Sequence, residues 1–447
     1  MLGQLVCLGR HTLTAVAATT GTAFCDWSAD YRLYSKSRFD PKEVFSVIRR
    51  EIDRRLDPQR PMIVAMDDSL LRKRGRKIHG VAYRRDPMGP PFHVNLVLGQ
   101  RVLQLSAALP EADHSSARMV PLDFAHVPTP MKPSKKADEA ERAAYRAALN
   151  ESRMSLHGQQ RVTELRRQLD EEGAFERRLW VVVDGRFTNR TLMCQLPQRT
   201  VFIGRIRSDA KLYHLPQSSS KGVGRRRIYG PQAPTPDQLR RCEQVPWQTV
   251  GAWACGRQHE FRVKVLKPLR WRPTSDQVDV QLVVIAPLAY RLTKGGPLLY
   301  RRPAYLVCTD PDLPLADLLQ AYLWRWNIEV NFRDEKTLLG AGQAQVRKPT
   351  STESVPALTV AAYALLLLAA DKAFAGASGC LPPPKWRQNR PRKRPSLSDL
   401  ISLLRHELWS DSIRSNHFSD FTSPTVRHTK SEKSLPSLHG ALFYATA

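Results

Sequence analysis

Between Tyr322 and Lys336 the chain carries a run of residues suited to phosphoryl chemistry. One carboxylate, Glu329, stands among Arg325, Arg333 and Lys336, with Tyr322 and Trp326 beside them. The segment reads as the middle of one helix from about Leu315 to Leu339, with Pro314 near its start and Gly340 and Gly342 closing it. At about 100° per residue these six side chains fall within roughly a 100° arc. Leu319, Leu323 and Val330 flank the arc on one side, and Ile328, Phe332 and Leu339 on the other; Asn327, Asn331 and Asp334 lie opposite. A helix made only to cover a core would put apolar residues in the middle of its inward arc. A single carboxylate among three cations and two aromatics suits a site that holds both a metal ion and a phosphate. The plainer reading is a solvated salt-bridge face, because Arg325–Glu329 and Glu329–Arg333 have i, i+4 spacing.

Two further acidic positions join Glu329. PMIVAM reads as a buried strand that ends in Asp67-Asp68-Ser69, and LWVVVD as a second one ending in Asp184. A carboxylate at the end of a buried strand is costly without a partner. Converging on Glu329, such acids would hold a hard divalent ion, Mg²⁺ or Mn²⁺. Two ions about 3.5–4 Å apart can serve both the attacking and the leaving oxygen of an in-line phosphodiester displacement. Each acid alone has a plain reading, Asp184-Gly185 as a turn and Asp67-Asp68 as a loop cap. Their joint order, strand–Asp, strand–Asp, helix–Glu, is a poor candidate for accident.

The elements that would position these groups follow from periodicity. Residues 1–58 read as three helices, either a small DNA-binding unit or a helical cap on the next domain. HGVAYRR and FHVNLVLGQRVLQLSAALP read as strands, and VFIGRIRSD as another after Asp184. Residues 128–172 form a polar helical insertion without a strong apolar stripe, read as a surface pair. FRVKVL, VDVQLVVIAP, PLLYRR and PAYLVCTD are further strands, with a KGG turn at 294–296. The apolar run from Val355 to Ala370 is short for a membrane span and reads as a buried core helix. A basic linker at 381–395 precedes a short helix, SLSDLISLLRHELW, and a polar tail.

Across 447 residues the formal net charge is +27, which makes a polyanion, nucleic acid by default, the expected partner. No lipidation motif supports a membrane partner. Arg10 and His11 interrupt the apolar N-terminus, so no export is expected. The seven cysteines form no CxxC pair, which argues against structural zinc and fits a reducing compartment.

The spacing Tyr322-x2-Arg325-x3-Glu329-x6-Lys336 resembles the YREK signature of bacterial insertion-sequence transposases in the DDE superfamily. Trp326, Ile328 and the Phe332-Arg333-Asp334 run extend the likeness. VVVDGRFTN resembles that family's second-aspartate motif, and AMDDS its first, with Asp67 as the ligand on the Asp-x-Ser pattern and Asp68 as the alternative. The resemblance spans roughly 60–375.

It implies an α/β fold of mixed α+β type: an RNase H-like catalytic core with a β-rich insertion domain and helical N- and C-terminal parts. The implied division is a helical region 1–58, a first catalytic part 59–204, an insertion 205–310, a second catalytic part 311–375 and a C-terminal region 376–447. It implies Asp67, Asp184 and Glu329 as catalytic metal ligands for two Mg²⁺ or Mn²⁺ ions. Tyr322, Arg325, Trp326, Arg333 and Lys336 would contact DNA. The expected activity is cleavage at element ends and strand transfer, on double-stranded DNA carrying terminal inverted repeats, by a homodimer located in the cytoplasm with the nucleoid. Departures from the pattern are the short region before Asp67 and the 128–172 insertion. Basic stretches at LLRKRGRKIHGVAYRR, at 205–230 and in the 381–395 linker could bind phosphates. An RNase H-like nuclease or resolvase, and a non-catalytic DNA-binding derivative, are the competing readings.

Overall fold

The computed structural model describes residues 1–22, 26–36, 38–86, 89, 94–111, 116–216, 227–275, 278–374 and 394–415. Four helices lead in: α1 (Leu2–Val6), α2 (Leu13–Thr19), α3 (Ser28–Ser35) and α4 (Pro41–Arg55). The start of α4 is set locally. Asp40 accepts from the Lys42 N–H, and Pro41 occupies the first turn, where no backbone donor is needed. Phe45, Ile48 and Ile52 are buried at helical spacing, and buried Arg49 pairs with Glu172.

A large mixed sheet follows. β1 (Met62–Arg72), β3 (Leu96–Pro110) and β4 (Ala117–His126) form an antiparallel meander, with the short β2 (Ala82–Arg85) on β3. Two helices, α5 (Glu139–Glu151) and α6 (Met154–Glu171), lead to β5 (Leu179–Val183), and α7 (Arg190–Met193) leads to β6 (Thr200–Arg205). β5 and β6 lie parallel to β1, and every residue of β5 is buried, as befits a central parallel strand. The order β4-β3-β1-β5-β6 is that of an RNase H-like core. The β-rich stretch comprises β7 (Leu212–Tyr213), α8 (Pro236–Arg241), β8 (Gln248–Ala254), β9 (Arg257–Trp271), β10 (Asp279–Ile285), β11 (Ala289–Tyr290), β12 (Leu299–Tyr300) and β13 (Ala304–Cys308). It continues the same sheet, β13 pairing with β6, then β10 and β9 outward. The KGG turn lies between β11 and β12, which pair as a hairpin. Four helices close the described chain: α9 (Leu315–Arg325), α10 (Asn327–Thr337), α11 (Pro349–Ala373) and α12 (Leu397–Ser415).

Several local expectations need correction. Residues 1–58 hold four helices rather than three, α1 being the one not anticipated. β1 does not end at Met66; it runs on, with Asp67 to Arg72 paired to Gln104 to Gly99 of β3. The helix carrying Glu329 is interrupted at Trp326, where the backbone stays right-handed (φ −56°, ψ −24°) but bonds tighten to i→i−3. The 128–172 segment is not a surface pair throughout. α5 buries nothing, but α6 buries Met154, Val162, Leu165 and Leu169. Gly158 lets α6 approach Met66, since a Cβ there would meet its Cε at 3.1 Å. β4 and β8 were not anticipated. In β4, Pro121 breaks the strand pattern, and the ladder accommodates it with a register shift between Leu105 and Ser106. The apolar helix α11 starts earlier than its apolar run, at Pro349, and packs against α4, β4, α1 and α3. It is long and apolar enough to cross a membrane, yet 78% of its most apolar window is buried inside the protein. Most of the basic linker, residues 381–393, and the tail beyond 415 lie outside the described residues.

Polar groups are buried where α10 lies on the sheet. Asn331 donates to the Met119 carbonyl and to the Tyr363 hydroxyl. Glu335 is fully buried beside Gln104, and burial pushes its carboxyl up to about 8. Between the ordinary value of 4.5 and about 8, the folded state holds a proton that the unfolded state has lost. Stability therefore falls as pH rises through that window. Glu335→Gln is expected to remove this dependence, stabilising the protein on the order of 2–4 kcal/mol at pH 9 and little at pH 4. Urea unfolding of both proteins at the two pH values checks this. An equal effect at both would contradict the assignment.

Candidate active site

Strand alternation decides which acids meet. Met66 of β1 pairs with Val183 of β5, so Asp67 and Asp184 are the next residues on adjacent parallel strands, about 5 Å apart along the sheet. Side chains alternate between faces. Val183 and Met66 belong to the core cluster built with α4, α6 and α11, whereas Val182 packs with α9 and Ala65 with α9–α10. Asp67 and Asp184 therefore share the face that α9 and α10 cover. Asp68 has the opposite parity, and both its carboxylate oxygens accept from Arg186 Nη1 at 2.7 Å. Ser69 has the parity of Asp67, and its Oγ accepts from Lys336 Nζ of α10 at 2.5 Å.

The charges at Asp67 are out of balance. It is 8% exposed, and burial first, then Asp184, then to a smaller degree Glu329, push its carboxyl up to about 7. Its opposing cation is Arg325, at 3.3 Å between Nη1 and Oδ2. Asp184 accepts the backbone N–H of Arg186 at 2.9 Å and of Phe187 at 3.4 Å, and has no ion-pair partner among the described residues. Glu329 is exposed on α10, on the open side of the helix. Among the described residues no group of three or more His, Cys, Asp or Glu side chains is gathered closely enough to hold a metal ion. The structure thus brings Asp67 and Asp184 together, with Glu329 near enough to act on Asp67 electrostatically but not closed onto it. A buried carboxylate beside a second and within electrostatic reach of a third, relieved by one long guanidinium contact and the Asp68 N–H at 2.8 Å, fits a divalent cation. The all-oxygen donors fit Mg²⁺ or Mn²⁺.

The other residues of the arc divide. Arg325 is buried, lies 5.6 Å from the Tyr322 ring centre, and has a buried Nε without a partner. Tyr322 is half-buried, and Lys336, half-buried, rests over Phe332. Trp326 is 65% exposed, outside the core that takes Trp324, Ile328 and Phe332. Arg333 is exposed and pairs with its neighbour Asp334. In the basic stretch after Asp67 the cations are not equivalent. Lys73 is buried and donates to the Gly342 and Ala344 carbonyls, so it ties β1 to the loop after α10. Arg74, Arg76 and Lys77 are exposed.

A family model described as DDE superfamily endonuclease matches residues 1–272, more than half of the chain's 447. The chain belongs to this family. A comparison with curated proteins gave no match.

In this DDE endonuclease the match takes in Asp67 and Asp184 and ends before α9, so it does not reach Glu329. Three groups around the site escaped sequence reasoning. Arg186 neutralises Asp68. Gln104 stands opposite Asp67 in the β1–β3 register, and its Nε2 donates to Ser106 at 3.1 Å. Thr188 Oγ1 donates to the Asp184 carbonyl at 2.7 Å and fixes the turn after it. The Gly-Arg-Phe-Thr string following Asp184 held the only signal for two of these. Gln104 needed the strand register.

Proposed function

We propose that this DDE endonuclease is a transposase of the YREK-signature branch, which cleaves DNA at the ends of an insertion sequence and joins those ends to target DNA. The observation that carries the reading is the adjacency of Asp67 and Asp184 on the sheet face covered by the helix of Glu329. Asp67, Asp184 and Glu329 are the proposed metal-holding and catalytic groups. A divalent ion bound there would activate the attacking hydroxyl and neutralise charge on the leaving oxygen of a phosphodiester. The chain's own part is positioning. Asp184 is fixed by two backbone donors, and Asp67 is fixed mid-strand by its pairing with Gln104 of β3. Arg325 has an unspent donor for a phosphate oxygen, and Lys336 reaches the same face beside Ser69. Trp326 offers an exposed ring on which a base can stack. Double-stranded DNA bearing terminal inverted repeats is the proposed substrate, paired by two copies of the chain, and the place of action is the cytoplasmic nucleoid.

The test is incubation with DNA carrying the element's own flanking inverted repeat, with and without Mg²⁺ or Mn²⁺. End-specific, metal-dependent nicks followed by joined products are expected. Nicks without end preference or joining would leave a nuclease and overturn the transposase reading. Lys336→Ala is expected to reduce assembly of the paired-end complex about tenfold, while affinity for bulk duplex changes about twofold or less. Native gel shifts on end-bearing and random DNA separate the two effects, and unchanged assembly would exclude Lys336 from phosphate binding.

A further inference from the structure

On the face of the sheet opposite Asp67, a group of arginines is short of acidic partners. Strand register gathers them. Leu70 pairs with Arg101 and Asp68 with Leu103, so Arg101 shares the face of Leu70 and Asp68. Arg84 of β2 pairs with Val97, which has the parity of Arg101 on β3, so Arg84 lies on that face too. Arg186, in the turn after β5, reaches it to meet Asp68. The helical insertion walls the group. Ser152, between α5 and α6, accepts from Arg101 Nη2 at 3.0 Å through its carbonyl. On α6, burial first, then Arg101 and Arg161, hold His157 below its ordinary value, so it adds no acid and little charge.

The charge of this group does not close. Arg186 takes both carboxylate oxygens of Asp68. Neighbouring acids on the same face are spent as well, Asp86 on Arg72 and Asp123 on Arg161. Arg84 donates from Nη2 to Thr129 Oγ1 at 3.0 Å, yet the Nε of Arg84 and the Nε of Arg101 are both buried with no hydrogen-bond partner among the described residues. A buried donor without an acceptor is costly, and each such group in a folded protein calls for an explanation. Arg101 registers the imbalance. Burial first, then Arg84 and Arg186, bring its guanidinium down to about 10, and Asp68 offsets this only in part. Arg84 and Arg101 are half-buried rather than sealed in, so solvent reaches part of each side chain. Two guanidinium forks that repel one another and have donors to spare match an ion with negative charge and several oxygens.

We infer that Arg84 and Arg101, with Arg186 beside them, form a binding site for a phosphate-type oxyanion on the face of the sheet opposite Asp67 and Asp184. One such ion between the two forks accepts from both and cancels their repulsion. Its source is either free phosphate or a backbone phosphate of DNA other than the one being cut, and the chemistry of recognition is the same for both. The site does not rest on the DNA-cleaving reading, because Asp67, Asp184 and Glu329 take no part in it. It gives the α5–α6 insertion a task, which is to close the site around Arg101.

The test uses the full chain. Phenylglyoxal modification read by peptide mass spectrometry follows each arginine in the unaltered protein, so no variant has to fold. Inorganic phosphate at millimolar concentration, against chloride of equal ionic strength, is expected to slow modification of Arg84 and Arg101 about fivefold or more. Arg54 and Arg146, on exposed helix surfaces, are expected to change about twofold or less. Duplex DNA of random sequence, with chelator present, forms the second arm. Protection of Arg84 and Arg101 by DNA supports the site with a backbone phosphate as occupant, and protection by inorganic phosphate alone supports it with a free ion. Equal slowing of all four arginines, or no protection in either arm, would overturn it. Arg101→Gln is expected to abolish protection of Arg84 in both arms. Undiminished protection there would show that the two arginines share no ion and would also overturn the proposal. The metal-dependent nicking assay reports separately on the transposase reading.

Discussion

Asp184→Asn is expected to lower strand cleavage by about 10³-fold or more and to leave affinity for duplex DNA within about twofold. The substitution is close to isosteric. Asparagine keeps an oxygen that can accept the Arg186 and Phe187 backbone N–H groups, so the turn after β5 survives. It loses the negative charge next to Asp67. If Asp184 served only to shape that turn, cleavage would change little. A second consequence separates the roles again. Asp184 is the largest charge holding the Asp67 carboxyl up, so in Asp184→Asn that carboxyl should titrate closer to its ordinary value of 3.8. Rates of nicking, filter-binding affinities and an NMR titration of Asp67 in both proteins test these statements together. Cleavage by Asp184→Asn within tenfold of the unaltered protein would remove Asp184 from the site.

Cation binding should be strongly pH-dependent for a related reason. With the Asp67 carboxyl raised to about 7, a proton competes with the metal below that value. Apparent affinity for Mn²⁺ is expected to fall about tenfold per unit, or about 100-fold between pH 7 and pH 5. An ordinary carboxylate site would lose little over that range. Stability runs the other way. From the unfolded value of 3.8 up to about 7, the folded, metal-free protein holds the extra proton, so its stability falls as pH rises through that window. Metal should reverse the trend at neutral pH by binding the folded state. Mn²⁺ titrations followed by electron paramagnetic resonance at pH 5, 6, 7 and 8 measure the first effect, and thermal unfolding in chelator measures the second. A flat Mn²⁺ affinity across the series would show that Asp67 is not a ligand.

Much of the core was legible because its strands are apolar runs ending near acids. LWVVVD reads as a buried strand with an aspartate after it, and β5 is buried at every position. Helical spacing gathers Arg325, Glu329 and Arg333 on one arc, but the structure divides them: Glu329 and Arg333 are exposed, and Arg325 is buried against Asp67. Asp67 against Asp68 was not readable from type or spacing. Adjacent residues on a strand face opposite ways, and which way is set by register with β3 and β5. The state of Arg325 was hidden for a similar reason: its partner Asp67 lies 258 residues away in sequence. The break at Trp326 left no mark, since every residue around it is compatible with a continuous helix. β4 was obscured by Pro121, whose missing donor is absorbed by a bulge that only the paired strand reveals.

Asp67, Asp184 and Glu329 are proposed to make one cation site on a single face of the sheet. Anomalous diffraction from crystals grown with Mn²⁺ would locate the ion. Mn²⁺ is expected between Asp67 and Asp184, with Arg325 displaced from Asp67 and Glu329 drawn toward the ion. Mn²⁺ held by Asp68 on the opposite face, or absent from Asp67 and Asp184 at saturating concentration and pH 8, would contradict it.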